Sequence, residues 1–374
     1  MSKNLYLLDA YALIYRSYYA FIKNPRYNSK GQNTSAIYGF ANTLIDLIQK
    51  EQPTHIAVVF DPPYPTFRHE MYKEYKAQRE ATPEDIKLSI PIIKQLIEGF
   101  NIPVIEVPKF EADDTIGTLA KLAEKEGFTT YMMTPDKDYG QLVSDNIFML
   151  KPARGGNGAE VVGKEKICEK YKIKDPIQVI DILGLMGDAS DNVPGAPGMG
   201  EKTAMKLIGV DGSIESFNEN IDDLKGKQKE KLADNKEQVL FSKVLVTIRL
   251  DVPVELNQEE LIYKKPNEDK LTKLFEELEF KALAKRIFQK NISPTPAASV
   301  MQGSLFGETE IEEAPSNLKN ISNTKHDYKL IDSLEKRTEV IQTLSEQKEF
   351  CFDTETTGLN PLTAEIVGLA ISCK

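Results

Sequence analysis

The 374-residue chain has no tryptophan, only three cysteines and only three histidines. Cys168, Cys351 and Cys373 are odd in number and irregularly spaced, which argues against a disulfide framework and fits reduced thiols. His55, His69 and His326 lack the spacing of zinc ligands, so no zinc site is expected on them. No apolar run approaches the roughly 20 residues of a membrane span, and the opening MSKNLYLLDAY has no signal-peptide core or cleavage site. A cytoplasmic chain is expected. A basic excess is also missing, since the net charge is −10. That does not exclude nucleic acid, because binding depends on local patches and many of the acids have another use. With 41% hydrophobic and 28% charged residues, the chain has an ordinary globular composition, and its length suits two domains of roughly 150 residues each.

What the chain does have is acid in particular places. Asp9 (LLDAYALIYR), Asp61 (VVFDPP), Glu111, Asp113 and Asp114 (FEADDTIG), Asp136 and Asp138 (TPDKDYGQL), and Asp188 and Asp191 (GLMGDASDN) follow predicted strands or flank predicted helices. A single such Asp is most simply a helix cap. Five clusters at successive element ends point to one negative pocket that requires divalent cations. All-oxygen donors suit Mg²⁺ or Mn²⁺, and paired metals about 3.5–4 Å apart are a standard device for cutting phosphodiesters. Spacing adds detail. A helix starting near Glu111 puts Glu111 and Asp114 on one face, with Asp113 beside them. Asp188 and Asp191 share that i,i+3 spacing. An extended TPDKD would aim Asp136 and Asp138 one way and Lys137 the other.

Residues 3–9, 54–61, 102–107 and 129–134 read as short apolar strands suited to a sheet covered on both faces. Helical periodicity fills 34–50 and 115–127, the latter ending at Gly127. The alternation predicts a parallel, doubly wound α/β sheet with its site beyond the carboxyl ends of the strands. We assign residues 1–165 to this α/β domain and 166–290 to a helical subdomain. Residues 291–325, rich in Ser, Pro, Asn and acids, read as a flexible linker. Residues 326–374 begin a new helix-and-strand pattern too short for a full domain.

Two basic segments accompany the acids. In NVPGAPGMGEKTAMKLI (192–208), Gly195, Gly198 and Gly200 build a tight turn whose bare backbone could approach phosphate. The next helix offers its N-terminus, Lys202, Thr203 and Lys206. In YPTFRHEMYKEYKAQREATPED (64–85), Arg68, Lys73, Lys76 and Arg79 interleave with Phe67, Tyr72 and Tyr75, a composition suited to single-stranded nucleic acid. Arg16, seven residues beyond Asp9, is a further candidate phosphate contact. Taken singly, these segments also read as an interhelical turn and a solvated helix.

Together these residues resemble the 5′-nuclease domain of bacterial DNA polymerases I, in the flap-endonuclease family, over about residues 3–290. The resemblance implies two or more Mg²⁺ ions held by the nine acids. It also implies a helical arch at 64–98, with Lys76 and Arg79 steering the scissile phosphate. A helix–three-turn–helix at 192–208 would grip duplex DNA, with a bound K⁺. Residues FDTETTGL are similar to the start of an RNase H-like 3′→5′ proofreading domain, with Asp353 and Glu355 as two of its four carboxylates. The other two are absent, so no proofreading is expected, and the chain reads as the N-terminal piece of such a polymerase. Gln302–Phe306 (QGSLF) resembles the peptide by which bacterial replication proteins dock on the sliding clamp.

The implied activity is metal-dependent 5′–3′ exonuclease and flap endonuclease action on nicked, gapped or flapped DNA. It would serve repair and RNA-primer removal, by a nucleoid-associated monomer. Two alternatives stand beside it: a ribonuclease on a related acidic fold, and a structure-specific DNA-binding module whose nuclease has lapsed.

Overall fold

The computed structural model describes residues 3–152, 158–219, 232–288, 328–357 and 365–373. The expected linker and the Gln302–Phe306 segment lie outside the described residues. The chain forms two compact units, Met1–Val300 and Met301–Lys374.

The first unit is built on a six-stranded sheet, ordered β3-β2-β1-β4-β5-β6. Its strands are β1 (Asn4–Asp9), β2 (His55–Phe60), β3 (Val104–Glu106), β4 (Thr129–Met133), β5 (Ile147–Lys151) and β6 (Glu160–Val162). All pair in parallel except β6, which runs antiparallel to β5 at the edge. The parallel sheet was expected from the apolar runs; β5 and the reversed β6 were not.

Alternation along the strands divides two cores. Leu5 and Leu7 of β1, with Ala57 and Val59 of β2, face one cluster. Tyr6 and Leu8, with Ile56, Val58 and Phe60, face the other. The second face is covered by α1 (Ala10–Ala20), α2 (Ser35–Glu51) and, beyond the short α3 (Phe67–Met71), α4 (Glu84–Gly99). The first is covered by α5 (Ala112–Lys125) and then by α6 (Lys164–Tyr171), α7 (Val179–Met186), α8 (Glu201–Asp211), α9 (Ile214–Glu219) and α10 (Lys236–Val246). The boundary expected near residue 165 therefore separates no core of its own, because α6 to α10 share theirs with the sheet. Helices Glu268–Glu277 and Lys281–Phe288 return to the opposite face, where Leu271 closes on Gly99 and Arg286 pairs with Asp46.

The expected arch at 64–98 is helical only at α3 and α4; residues 72–83 are turn and coil. Helix-favouring residues lose here to tertiary contacts. Lys76 takes a left-handed φ of 57° so that its N–H can reach Asp191 O at 3.0 Å, and Pro83 enters α4 as its N-cap.

In the second unit, helix Leu334–Ser345 is capped by Ser333. It precedes an antiparallel pair, β7 (Phe350–Thr356) and β8 (Ile366–Cys373), with Asp353 opposite Ala370 and Glu355 opposite Gly368. Among the described residues no helix is long and apolar enough to cross a membrane.

Candidate metal centre and nucleic-acid interface

The sheet order reverses between β1 and β4, and a doubly wound fold opens its crevice at such a point. Asp9 is the last residue of β1, Asp61 follows β2, and Asp136 lies three residues past β4. Asp9 Oδ1 caps α1 through Ala12 N at 3.1 Å. Its Oδ2 accepts from Thr134 and Tyr139, both at 3.2 Å. Burial, with the Asp61 charge nearby, pushes the Asp9 carboxyl up to about 7. Asp61 accepts from Ala112 N at 2.8 Å, tying the end of β2 to the start of α5, and burial raises it too.

At α5, Glu111 is the N-cap. Its Oε1 receives Lys76 Nζ at 2.7 Å, and its Oε2 receives Tyr75 at 3.0 Å and Arg68 at 3.2 Å. Burial opposes ionisation of Glu111, but the Lys76 and Arg68 charges hold it below the usual range. Asp113 is raised well above its ordinary value by burial and by the neighbouring Asp114 carboxylate.

Two expectations need correction here. Arg68 is 1% exposed and makes no surface for DNA. It donates to both oxygens of Asp114 at 2.7 and 2.8 Å and to the Leu245 and Thr247 carbonyls at 2.8 and 2.9 Å. Asp114, fully buried, also accepts Arg249 N and Glu111 N. With its oxygens spent on Arg68 and the backbone, Asp114 anchors α5 instead of joining the ligand set. The pair is the buried joint between α3, α5 and the end of α10.

The TPDKD segment is not extended. Asp136 caps a 3-10 turn, Lys137–Leu142, by accepting from Asp138 N at 3.0 Å. The turn brings Lys137 round to the acids, and its Nζ lies 3.0 Å from Asp188 Oδ2, where an extended strand would have aimed it away. A cavity of about 270 Å³ is lined by Asp136, Asp138, Asp188 and Asp191 with Arg79 and Lys137. Burial and the Asp136 charge push Asp138 up to about 8. Asp138 Oδ1 is buried without a hydrogen-bond partner. Desolvation likewise raises Asp136, with the Asp191 and Asp188 charges adding to it. Asp188 ends below its ordinary value, because the Ser190 and Lys137 bonds outweigh its burial.

Asp191 joins the two groups of acids. Its carboxylate meets Arg79, Lys76 (3.6 Å) and the Tyr75 hydroxyl (3.1 Å). The 74–79 segment is pinned along the 189–192 turn. Gln78 donates to Ala189 O at 2.7 Å, Arg79 to Ser190 O at 3.0 Å, and Asn192 to Glu74 O at 2.7 Å. Tyr75, grouped with base-stacking aromatics in the sequence, is buried instead, while Lys73 is exposed. Arg16 is half-buried on α1.

As they stand, no three or more His, Cys, Asp or Glu side chains among the described residues are arranged to hold a metal ion. The chemistry of the donors nevertheless fits a hard cation. All are carboxylate oxygens, Asp138 Oδ1 is an orphaned buried acceptor, and several acids are raised by one another's charge. Lys76, Arg79 and Lys137 supply the positive charge that draws Glu111, Asp188 and Asp191 toward themselves.

The glycine turn joins α7 to α8. Gly187 and Gly195, with φ of 69° and 60°, meet backbone to backbone; a Cβ on Gly195 would lie 2.3 Å from Gly187 N. Gly195 is therefore needed for this crossing of chains, a role different from the phosphate approach expected of it. Gly198 is also left-handed, at φ 73°, and Gly200 caps α8 facing open space. Lys202 and Lys206 are exposed and Thr203 half-exposed on α8.

Residues 4–172 match the family described as 5′-3′ exonuclease, N-terminal resolvase-like domain, and residues 174–269 its C-terminal SAM fold. A 5′-3′ exonuclease of Aquifex aeolicus is 40% identical over 76% of this chain and 95% of its own length. The chain belongs to the 5′-3′ exonuclease family. This exonuclease-family chain is also 42% identical to DNA polymerase I of Bacillus subtilis over 76% of its length, but it spans only 32% of that relative. Among solved structures, T5 5′-exonuclease with bound zinc shares its fold at TM-score 0.54 and 20% identity, covering 77% of this chain and 99% of that one. The catalytic core of Rad2 with DNA substrate does so at TM-score 0.54 and 21% identity, over 77% and 92%.

Lys137 was expected to point away from the acids, because its actual place depends on the 3-10 turn. Ser190 and Tyr139, which orient Asp188 and Asp9, carry no motif of their own. The one available signal was a cation set between two acids.

Proposed function

We propose that the chain hydrolyses a phosphodiester near the 5′ end of nicked, gapped or flapped DNA, using two or more Mg²⁺ or Mn²⁺ ions. The observation that carries this reading is the meeting of acids from β1, β2, α5, the 3-10 turn and the 188–191 turn with Lys76 and Arg79 at the carboxyl edge of the sheet. Asp9, Asp61, Glu111, Asp113, Asp136, Asp138, Asp188 and Asp191 would hold the ions; Asp114 would support them through α5. When bound, such ions supply an activated water and neutralise charge on the phosphate. Lys76 and Arg79 leave their carboxylates to grip the phosphate, and Arg16 and Lys73 lie along the approach of the strand.

The 187–200 turn and α8, with Gly198, Gly200, Lys202 and Thr203, would hold duplex backbone as a helix–three-turn–helix with K⁺. The T5 and Rad2 neighbours, one with bound divalent metal and the other with DNA substrate, support both halves of the reading. The polymerase I relatives support a parent DNA polymerase I, for which repair and primer removal by a nucleoid-associated monomer are part of the proposal. Asp353 and Glu355 would be half of its proofreading site. Gln302–Phe306 would dock on a sliding clamp; joint replacement of Leu305 and Phe306 by Ala should abolish clamp binding, and unchanged binding would remove that idea.

The test is cleavage of a 5′-labelled flap duplex with Mg²⁺ and with chelator. Short labelled products should require Mg²⁺, and a 3′-labelled single strand should stay intact. Asp136→Ala and Asp188→Ala should each keep folding and flap binding while losing cleavage. Tight binding by the unaltered chain without any Mg²⁺-dependent product would instead favour the lapsed module.

A further inference from the structure

The two oxygens of Asp188 are engaged differently. Oδ1 accepts from Ser190 N at 2.7 Å and Ser190 Oγ at 2.6 Å, a local clasp within its own turn. Oδ2 faces Lys137 Nζ at 3.0 Å across the cavity. The clasp can persist when a cation binds, since it fixes the direction of the carboxylate, as outer-shell partners of metal ligands do. The Lys137 contact works against the ion. A Mg²⁺-sized ion sits about 2.0–2.1 Å from its oxygen, and an ammonium held on that same oxygen at 3.0 Å repels it at close range. Lys137 is held there by more than one acid, because Asp138 and Asp136 add to the attraction of Asp188. Lys137 lies between those two acids and opens the 3-10 turn, so the cation belongs to the acidic pair and is carried separately from the 74–79 segment that brings Lys76 and Arg79.

We propose that Lys137 is a built-in counter-cation, a positioning residue that a divalent ion must displace from Asp188 Oδ2 before the second acid group can bind it. This rests on the metal-dependent reading of the site. Binding at Asp136, Asp138, Asp188 and Asp191 is then an exchange of ammonium for metal, and the affinity is lowered by the ion pair that must be broken. The same pair keeps four neighbouring carboxylates compatible with the folded chain.

The experiment is calorimetric titration of the full chain with Mn²⁺ alone, without DNA. Lys137→Met should bind Mn²⁺ about tenfold more tightly than the unaltered chain, a gain of about 1.4 kcal/mol. Lys137→Arg, which keeps the cation, should stay near the unaltered affinity, and Lys137→Gln should repeat the gain should Lys137→Met fold poorly. In an Asp188→Asn background the Lys137→Met gain should shrink to less than about half of its logarithm, because the contact that opposed the ion is already gone. Equal or weaker Mn²⁺ binding by both neutral variants overturns the proposal. So does an undiminished gain in the Asp188→Asn background, which would assign the effect to long-range charge. If the unaltered chain binds no Mn²⁺, the site reading itself fails; if it binds and the neutral variants match it, only the role of Lys137 fails.

Discussion

Arg68 shows how one residue can carry the composition of a nucleic-acid contact and do something else. It sits among Phe67, Tyr72, Lys73 and Lys76 in the sequence, yet its guanidinium is buried against Asp114 and two carbonyls. A planar fork with five donors suits that joint and a lysine does not. Removing one partner of such a pair leaves an uncompensated buried charge, at about 3–5 kcal/mol. Arg68→Met should therefore lower stability by that amount in urea unfolding, while the part that remains folded binds DNA with an unchanged salt dependence. Stability within about 1 kcal/mol of the parent, joined to lost DNA affinity, would restore the surface role. The acids make a second prediction at this scale. Asp9 has an ordinary value of 3.8 and is raised to about 7 in the folded chain. Between those values the folded state keeps a proton that the unfolded chain has released. The stability from this group is thus full at low pH and is lost as pH rises through about 7; Asp138, raised to about 8, acts in the same direction. In chelator, the melting temperature should fall between about pH 5.5 and pH 8, Asp9→Asn should flatten part of that slope, and Mg²⁺ should remove most of it. A slope identical in Asp9→Asn would show that other groups set it.

Elements differ in how openly the sequence announces them. β1, β2 and β4 were readable because a strand covered on both faces is mostly apolar, as LYLL and IAVVF are throughout and TTYMM is in its second half. Helix α5 was readable from its acidic N-terminus and its Gly127 stop. β6 was not, because EVV has three residues and only lines an edge, and β5 was passed over although IFMLK is as long as β4. Residues 72–83 failed for a different reason. Their helix-favouring composition was overruled by hydrogen bonds to a turn more than 100 residues away. The acids at strand ends were visible as ligating chemistry, but which of them were spent on structure was not: Asp113 and Asp114 look alike until Arg68 is placed. The 187–200 turn gives a test at this scale. Gly195 combines a left-handed backbone with a Cβ position 2.3 Å from Gly187 N, whereas Gly200 has an ordinary φ of −89° and open space. Gly195→Ala should cost more than about 1 kcal/mol in urea unfolding and weaken duplex binding through displacement of α8. Gly200→Ala, a change of cap residue alone, should cost less than about 1 kcal/mol. Equal costs would mean that the crossing of the two chains does not limit this turn.

For the molecule as a whole, the question is which part of the chain the proposed chemistry needs. Every acid of the candidate centre, both basic segments and the glycine turn lie within Met1–Val300, which is a compact unit by itself. Helices Glu268–Glu277 and Lys281–Phe288 belong to that unit's second core through Leu271, Leu274, Phe275 and Leu283, so a cut must fall after them. The Aquifex aeolicus relative, matched over 95% of its length by 285 residues of this chain, shows that the family includes proteins of about this extent. The second unit contributes a two-stranded sheet on which Phe352, Ile366, Val367 and Leu369 are largely exposed, and a sheet of that size is marginal alone. A chain of residues 1–300 should therefore melt cooperatively, at or above the temperature of the full chain's first transition, and cleave a 5′ flap with kcat/KM within about twofold of the full chain. It should also lose any clamp binding, since residues 302–306 are gone. A tenfold or greater fall in kcat/KM with flap affinity retained would mean that residues beyond 300 act on the catalytic step. A fall in both affinity and melting temperature would mean that they complete the fold of the nuclease unit.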